Sequence, residues 1–193
     1  MKLSLYHQKY ADNPDEEINR RIDAKKQELI AIFREVSLNT VDSTVKVAVL
    51  GCGDKRFVSR HREMFEQLLE KNIEITTFDI TVEHLGGEDN IIQHDCTLPL
   101  PGGPYDITYG HVVLKFIDNE KQFDLLQNSY LALKPGGIAI HIFDREEIES
   151  RDEKLIDGQW SVPLEKYKKM LSSADIKYQE IPVKYGIALV LIK

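Results

Sequence analysis

The sequence predicts a doubly wound α/β sheet of seven strands, mostly parallel, with the last strand antiparallel. Three observations lead to that class. Runs rich in β-branched residues alternate with amphipathic helical segments along most of the chain. Gly51 and Gly53 follow the first such run directly and stand before a helical segment. The last two runs are joined by a turn too short for a crossover helix, which makes the final strand antiparallel.

With 193 residues, the chain fits one buried core, read as a single unit over 1–193 with residues 1–40 as an N-terminal helical extension. A net charge of −7 weighs against a nucleic-acid backbone as the main partner. Two cysteines and no apolar N-terminal stretch point to a reducing compartment, so a cytoplasmic protein is expected. No run approaches the roughly 20 apolar residues of a membrane span.

The first helix is expected over 14–37, with Asn13 as N-cap, Pro14 at the first helical position and Glu16 as the acid of a capping box. Ile18, Ile22, Leu29, Phe33 and Val36 define its apolar face. Val45–Leu50 reads as a buried strand, 57–70 as a helix and Ile73–Phe78 as a second strand. The stretch 81–90 has room for one helical turn, and 90–94 is a short third strand. After a Pro/Gly loop, a fourth strand starts at Tyr105. Phe123, Leu126, Tyr130 and Leu133 mark a helix that Lys134-Pro135-Gly136-Gly137 stops before strand five, Ile138–Phe143. The charged stretch 144–160 is partly helical or a solvated face, Pro163 opens the last helix, and Ile176–Val183 and Ile187–Ile192 close the chain.

In such a sheet, ligands sit at the carboxyl ends of the central strands. Gly51 and Gly53 let the backbone turn sharply and approach a ligand, or serve only a tight turn. Asp79, 28 residues beyond Gly51, can accept hydrogen bonds from ribose hydroxyls or cap its own turn. Asp95 can bind an exocyclic amine or form an Asx-turn. His111 can act as a general base or bond locally. No His-Glu-x-x-His and no paired Cys-x-x-Cys is present, so no metal site is expected.

The order of these segments resembles the class I S-adenosylmethionine (SAM)-dependent methyltransferases, whose sheet is Rossmann-like. Val47–Gly53 resembles their first motif, Thr77–Thr81 the acidic second, Ile91–Pro99 the third, Tyr105–Leu114 the fourth-strand motif, and Leu133–Gly137 the turn before strand five. The likeness covers roughly residues 45–193. It implies methyl transfer from SAM to a small-molecule or protein acceptor. By that resemblance Gly51, Cys52 and Gly53 form the loop along the methionine part of SAM. Asp79 with Ile80 holds the ribose side, Asp95 and Cys96 flank the adenine, and Gly110 and His111 border the methyl group or the substrate.

Two departures keep other classes open. Val49 stands where the family often has an acid, and Lys55-Arg56 where small residues are usual. A non-catalytic binding or scaffold protein on the same fold is one alternative. An NAD(P)-dependent oxidoreductase is the other, opposed by Arg56 in place of the third fingerprint glycine. Tyr6 or Tyr10, on the N-terminal segment, and Trp160 or Tyr185 are candidates to line the site opening.

Overall fold

The computed structural model describes residues 13–38, 40, 42–149, 154–156 and 158–193. Tyr6 and Tyr10 lie outside the described residues. In chain order the elements are α1 (Asp15–Glu35), β1 (Thr44–Leu50), α2 (Arg56–Leu69), β2 (Asn72–Asp79), β3 (Ile91–Gln93), β4 (Tyr105–His111), α3 (Gln122–Leu131) and β5 (Leu133–Asp144). Then come α4 (Arg145–Glu149), β6 (Lys154–Ile156), β7 (Gln159–Trp160), α5 (Leu164–Ser173), β8 (Lys177–Val183) and β9 (Gly186–Ile192). The main sheet runs β3-β2-β1-β4-β5-β9-β8, and β6 and β7 form a separate ribbon. β9 pairs antiparallel with both β5 and β8, as expected from the short turn before it, and the other pairings of the main sheet are parallel.

Alternation of side chains along β1 supplies both faces of the sheet. Val45, Val47 and Val49 face a cluster that includes Leu29 and Ile32 of α1 and Met64 and Phe65 of α2. Ala48 and Leu50 face the opposite cluster, with Leu125 and Leu126 of α3 and Leu164, Tyr167 and Leu171 of α5. Val49 therefore occupies a core position, 1% exposed.

Two local expectations are corrected. Pro14, not Asn13, is the N-cap of α1, and no side chain caps that end. Proline can stand there because the amide it lacks would have no intrahelical partner. Strand five starts at Leu133, so Lys134-Pro135-Gly136-Gly137 does not precede the strand. Tyr105 pairs with Leu133 and Ile107 with Ile138, so the four residues Lys134–Gly137 bulge out opposite the single residue Asp106. The single turn expected in 81–90 is a 3-10 turn at Glu83–Leu85.

Asp106 anchors this bulge. Its buried carboxylate accepts the Lys46 amide at 2.7 Å and the Lys134 ammonium at 3.0 and 3.2 Å. One side chain thus ties β4 to β1 and to the start of β5. Lys134→Met leaves that carboxylate short of its cation and should cost about 1–3 kcal/mol in urea unfolding. Lys134→Met combined with Asp106→Asn should cost less than the sum of the two single changes, and strict additivity would show the pair to be uncoupled.

Candidate active site

The strand order sets the carboxyl ends of β2, β1 and β4 side by side, with Leu50 opposite Phe78 and Gly110. Gly51 turns the chain there at φ +78°, and a Cβ would lie 2.9 Å from Val113 Cγ2, so a side chain is excluded twice over. The Cys52 amide donates to Asp79 Oδ2 at 2.7 Å, and the Thr81 amide to Asp79 Oδ1 at 3.1 Å. Asp79 therefore ties two turns together. His84 Nε2 reaches the Cys52 carbonyl oxygen at 2.6 Å, latching the 3-10 turn to the same loop.

A cleft of about 940 Å3 opens beside this loop. Gly51, Cys52 and Gly53 form one wall, His111 and Val112 another, and Arg21, Lys25 and Glu28 of α1 the roof. Tyr185 and Gln159 also line it; Trp160 does not. Asp79, Ile80, Asp95, Cys96 and Gly110 lie outside the cleft lining. Ile80 is 63% exposed. Asp95 accepts the Thr97 amide at 3.0 Å and its hydroxyl at 2.7 Å, which is the Asx-turn reading. Burial raises the Asp95 pKa, but these bonds outweigh it and hold the carboxyl below its usual range. Gly110 makes room for packing, since a Cβ would sit 3.1 Å from both His141 Nδ1 and Val113 Cγ1. Burial pushes the thiols of Cys52 and Cys96 up to about 12, so neither is a thiolate at neutral pH.

Lys55 and Arg56 do not enter the cleft. The Arg56 guanidinium grips Asp54 through Nε at 2.9 Å and Nη2 at 2.6 Å. Its Nη1 reaches the Asn13 carbonyl at 3.0 Å and Asp15 Oδ1 at 2.8 Å. The arginine that replaces a fingerprint glycine thus fastens the start of α1 to the glycine loop.

His111 Nε2 lies 2.9 Å from Glu28 Oε2, a contact that fixes the ring with Nε2–H donating when the imidazole is neutral. Burial, reinforced by nearby Lys25, pushes the His111 pKa down to about 4 against the opposing pull of Glu28. Lys25 is itself lowered by burial to about 8. Its Nζ stands 5.3 Å from the Phe57 ring centroid and 5.9 Å from that of Tyr109. His61, 2% exposed, is held between Phe57 and Tyr109, with centroids 6.1 and 5.7 Å away. Neither of its ring nitrogens has a hydrogen-bond partner among the described residues.

Lys25, Glu28, His61 and Val112 were not singled out by motif reading. Val112 carries a different mark, φ +54° on a β-branched residue, a strain of about 1–3 kcal/mol in a cleft wall. Two of the others left a signal in the sequence: Lys25 and His61 each interrupt an apolar helical stripe, between Ile22 and Leu29 and between Phe57 and Phe65.

No family model matches the chain, and no curated protein matches it in sequence. Solved structures do match. An S-adenosylmethionine-dependent methyltransferase from Clostridium acetobutylicum ATCC 824 superposes with a TM-score of 0.67 at 14% identity, over 96% of this chain and 98% of that one. DhpI, solved as a complex with SAM and HEP, gives 0.56 at 18% identity over 86% and 84%. NcsB1, an O-methyltransferase from neocarzinostatin biosynthesis in complex with S-adenosylhomocysteine and 1,4-dihydroxy-2-naphthoic acid, gives 0.57 at 13% over 90% and 56%. A pericyclic reaction enzyme also matches, at 0.58 and 11% over 83% and 46%. The chain therefore has the class I SAM-dependent methyltransferase fold.

Two outcomes follow from the site geometry. Arg56→Met should speed hydrogen exchange of the α1 amides over residues 17–25 relative to those of β1; unchanged protection would mean that the arginine does not hold the helix. His61 and His141 are buried and His111 is half-buried, and all three have lowered pKa values, His111 to about 4 and His141 to about 3. Their folded values lie below the unfolded value, so the unfolded chain takes up protons first as pH falls through about 6.5. Stability in urea should drop below that pH by roughly 1.4 kcal/mol per pH unit for each histidine, and a flat profile from pH 7 to 5 would refute their burial as neutral rings.

Proposed function

We propose that this protein transfers a methyl group from SAM to a small-molecule acceptor. The observation that carries this reading is the glycine loop at Gly51–Gly53, which borders an open cleft at the carboxyl ends of the central strands and is not filled by Lys55 or Arg56. SAM supplies, when bound, a methyl group already activated by its sulfonium. The protein's work is then to hold and orient the reactants and to keep water out. Gly51–Gly53 offer close backbone approach. Asp79 uses one acceptor site of each carboxylate oxygen on backbone amides and keeps the others for the ribose hydroxyls. Ile80, Asp95 and Cys96 would border the adenine, beyond the cleft. α1 roofs the cleft and limits solvent.

His111 sits at the end of β4 with its ring set by Glu28. With its pKa near 4 it is a weak base at neutral pH, so we assign it to orienting the acceptor, with proton removal secondary. NcsB1, crystallised with a dihydroxynaphthoic acid, is in keeping with a small-molecule acceptor. Both cysteines are free, in keeping with a reducing, cytoplasmic setting, and no helix among the described residues is long and apolar enough to cross a membrane.

A second reading, a binding or scaffold protein without turnover, is favoured by one observation. Asp79 and Asp95 are both engaged by backbone amides, Asp79 by those of Cys52 and Thr81 and Asp95 by that of Thr97. Thermal unfolding with SAM, S-adenosylhomocysteine and NAD separates these readings. At about 100 times the dissociation constant, a bound cofactor should add about 2.7 kcal/mol and raise Tm by about 5–10 °C. A rise with SAM and S-adenosylhomocysteine, and none with NAD, is expected. Asp79→Asn should weaken S-adenosylhomocysteine binding by about tenfold, the worth of a charge-assisted hydrogen bond. No rise with any ligand would establish the scaffold reading, and a rise with NAD alone would move the protein to the oxidoreductases.

A further inference from the structure

The roofed end of the cleft holds polar groups that the cofactor reading does not use. Four cationic side chains line the cleft, and three have carboxylate partners. Arg20 and Arg21 are paired with Glu17, and Lys115 with Asp144. Lys25 has no ion pair or hydrogen bond with a described residue, and the nearby Glu28 is committed to His111. The aromatic shelf of Phe57 and Tyr109 stabilises an ammonium only in part. Beside it His61 faces the cleft with both ring nitrogens unpartnered, and behind it the buried Tyr109 hydroxyl also lacks a partner among the described residues. Leaving a buried polar group unpaired is costly, and His61 and Tyr109, both buried and unpartnered among the described residues, stand together beside the ammonium of Lys25, which marks a place completed by a ligand. Charge and geometry agree on its chemistry. A cation and a neutral imidazole N–H both ask for an acceptor-rich anion, while Ala24, Val112, Ile142 and Phe143 add apolar lining to the same cleft.

We propose that this end of the cleft is the acceptor subsite and that it selects a small acceptor with an apolar body and one carboxylate, seated on Lys25 and His61. The assignment to the acceptor rests on the methyl-transfer reading. The carboxylate on Lys25 could belong to two molecules, the acceptor or the amino-acid end of the cofactor, and calorimetric titration separates them.

Benzoate and its neutral isostere benzamide are titrated into the protein with and without saturating S-adenosylhomocysteine. Wild type should prefer benzoate by about tenfold or more, the worth of a charged hydrogen bond. Lys25→Met should abolish that preference, Lys25→Arg should keep most of it, and both should bind S-adenosylhomocysteine within about threefold of wild type. Lys25→Met should fold at least as stably as wild type, because it removes a half-buried charge that has no ion pair with a described residue. Equal binding of benzoate and benzamide by wild type would overturn the proposal. So would a loss of S-adenosylhomocysteine affinity in Lys25→Met, since the carboxylate would then be the cofactor's own. If S-adenosylhomocysteine fails to bind wild type while benzoate still binds through Lys25, the methyl-transfer reading falls and the carboxylate site stands on its own.

Discussion

The glycine loop keeps its shape because one carboxylate serves two turns. Asp79 ends β2, yet the amide it holds most closely belongs to Cys52, at the end of the neighbouring β1. Two parallel strands bring these residues together, and without the carboxylate the Cys52 amide would be buried next to an apolar core with nothing to accept it. The same group takes the Thr81 amide and so sets where the chain leaves the sheet toward the 3-10 turn, whose His84 returns to Cys52. The ligand-binding role proposed for Asp79 and this structural role therefore fall on one residue. They are compatible because a carboxylate has about four acceptor sites and the turns use two.

The roof of the cleft follows from a second constraint. α1 contributes Leu29 and Ile32 to the main core, which fixes its C-terminal half. Its N-terminal half is held by Ile18, buried against Cys52, Phe57, Val58 and Leu85, and by Arg56, which fastens the first turn to the loop through Asp54, Asp15 and Asn13. The residue that spoils the dinucleotide fingerprint thus works with Ile18 to close this site from above. With α1 held down, Lys25 and Glu28 are pressed against His61 and His111, and burial lowers the pKa values of both imidazoles. Stability is given up at this spot, through the unpartnered His61 and Tyr109 and the strained Val112.

Runs rich in β-branched residues made the strands readable, and the absence of room for a helix made the antiparallel β9 readable, because both depend on neighbours in the chain. The bulge at Lys134–Gly137 was not readable: Pro and Gly signal a stop in any local window, and only the distant Asp106 lets the strand begin before them. Arg56 was misleading for the same reason, since its direction depends on residues about 40 positions earlier. Within the site, motif spacing located Gly51–Gly53 and His111, all of which line the cleft. It passed over Lys25 and His61, because a single polar residue in an apolar stripe reads as an imperfection until the opposing element is known.

The state of His111 narrows the chemistry open to the cleft. A base whose conjugate acid has a pKa of about 4 removes a proton from an alcohol or a protonated amine only at a large thermodynamic disadvantage at neutral pH. Moving Lys25 away, or neutralising it with an anion, would lift that pKa, since the lysine charge is second only to burial among its causes. An acceptor that brings its own carboxylate would therefore do two things at once. It would satisfy Lys25 and His61, and it would make His111 a better base at the moment the acceptor is in place. A neutral acceptor would leave both the unpaired ammonium and the weakened base as they stand. The electrostatics of this site thus favour the same ligand chemistry as its unpaired donors, and they couple acceptor binding to the readiness of the histidine.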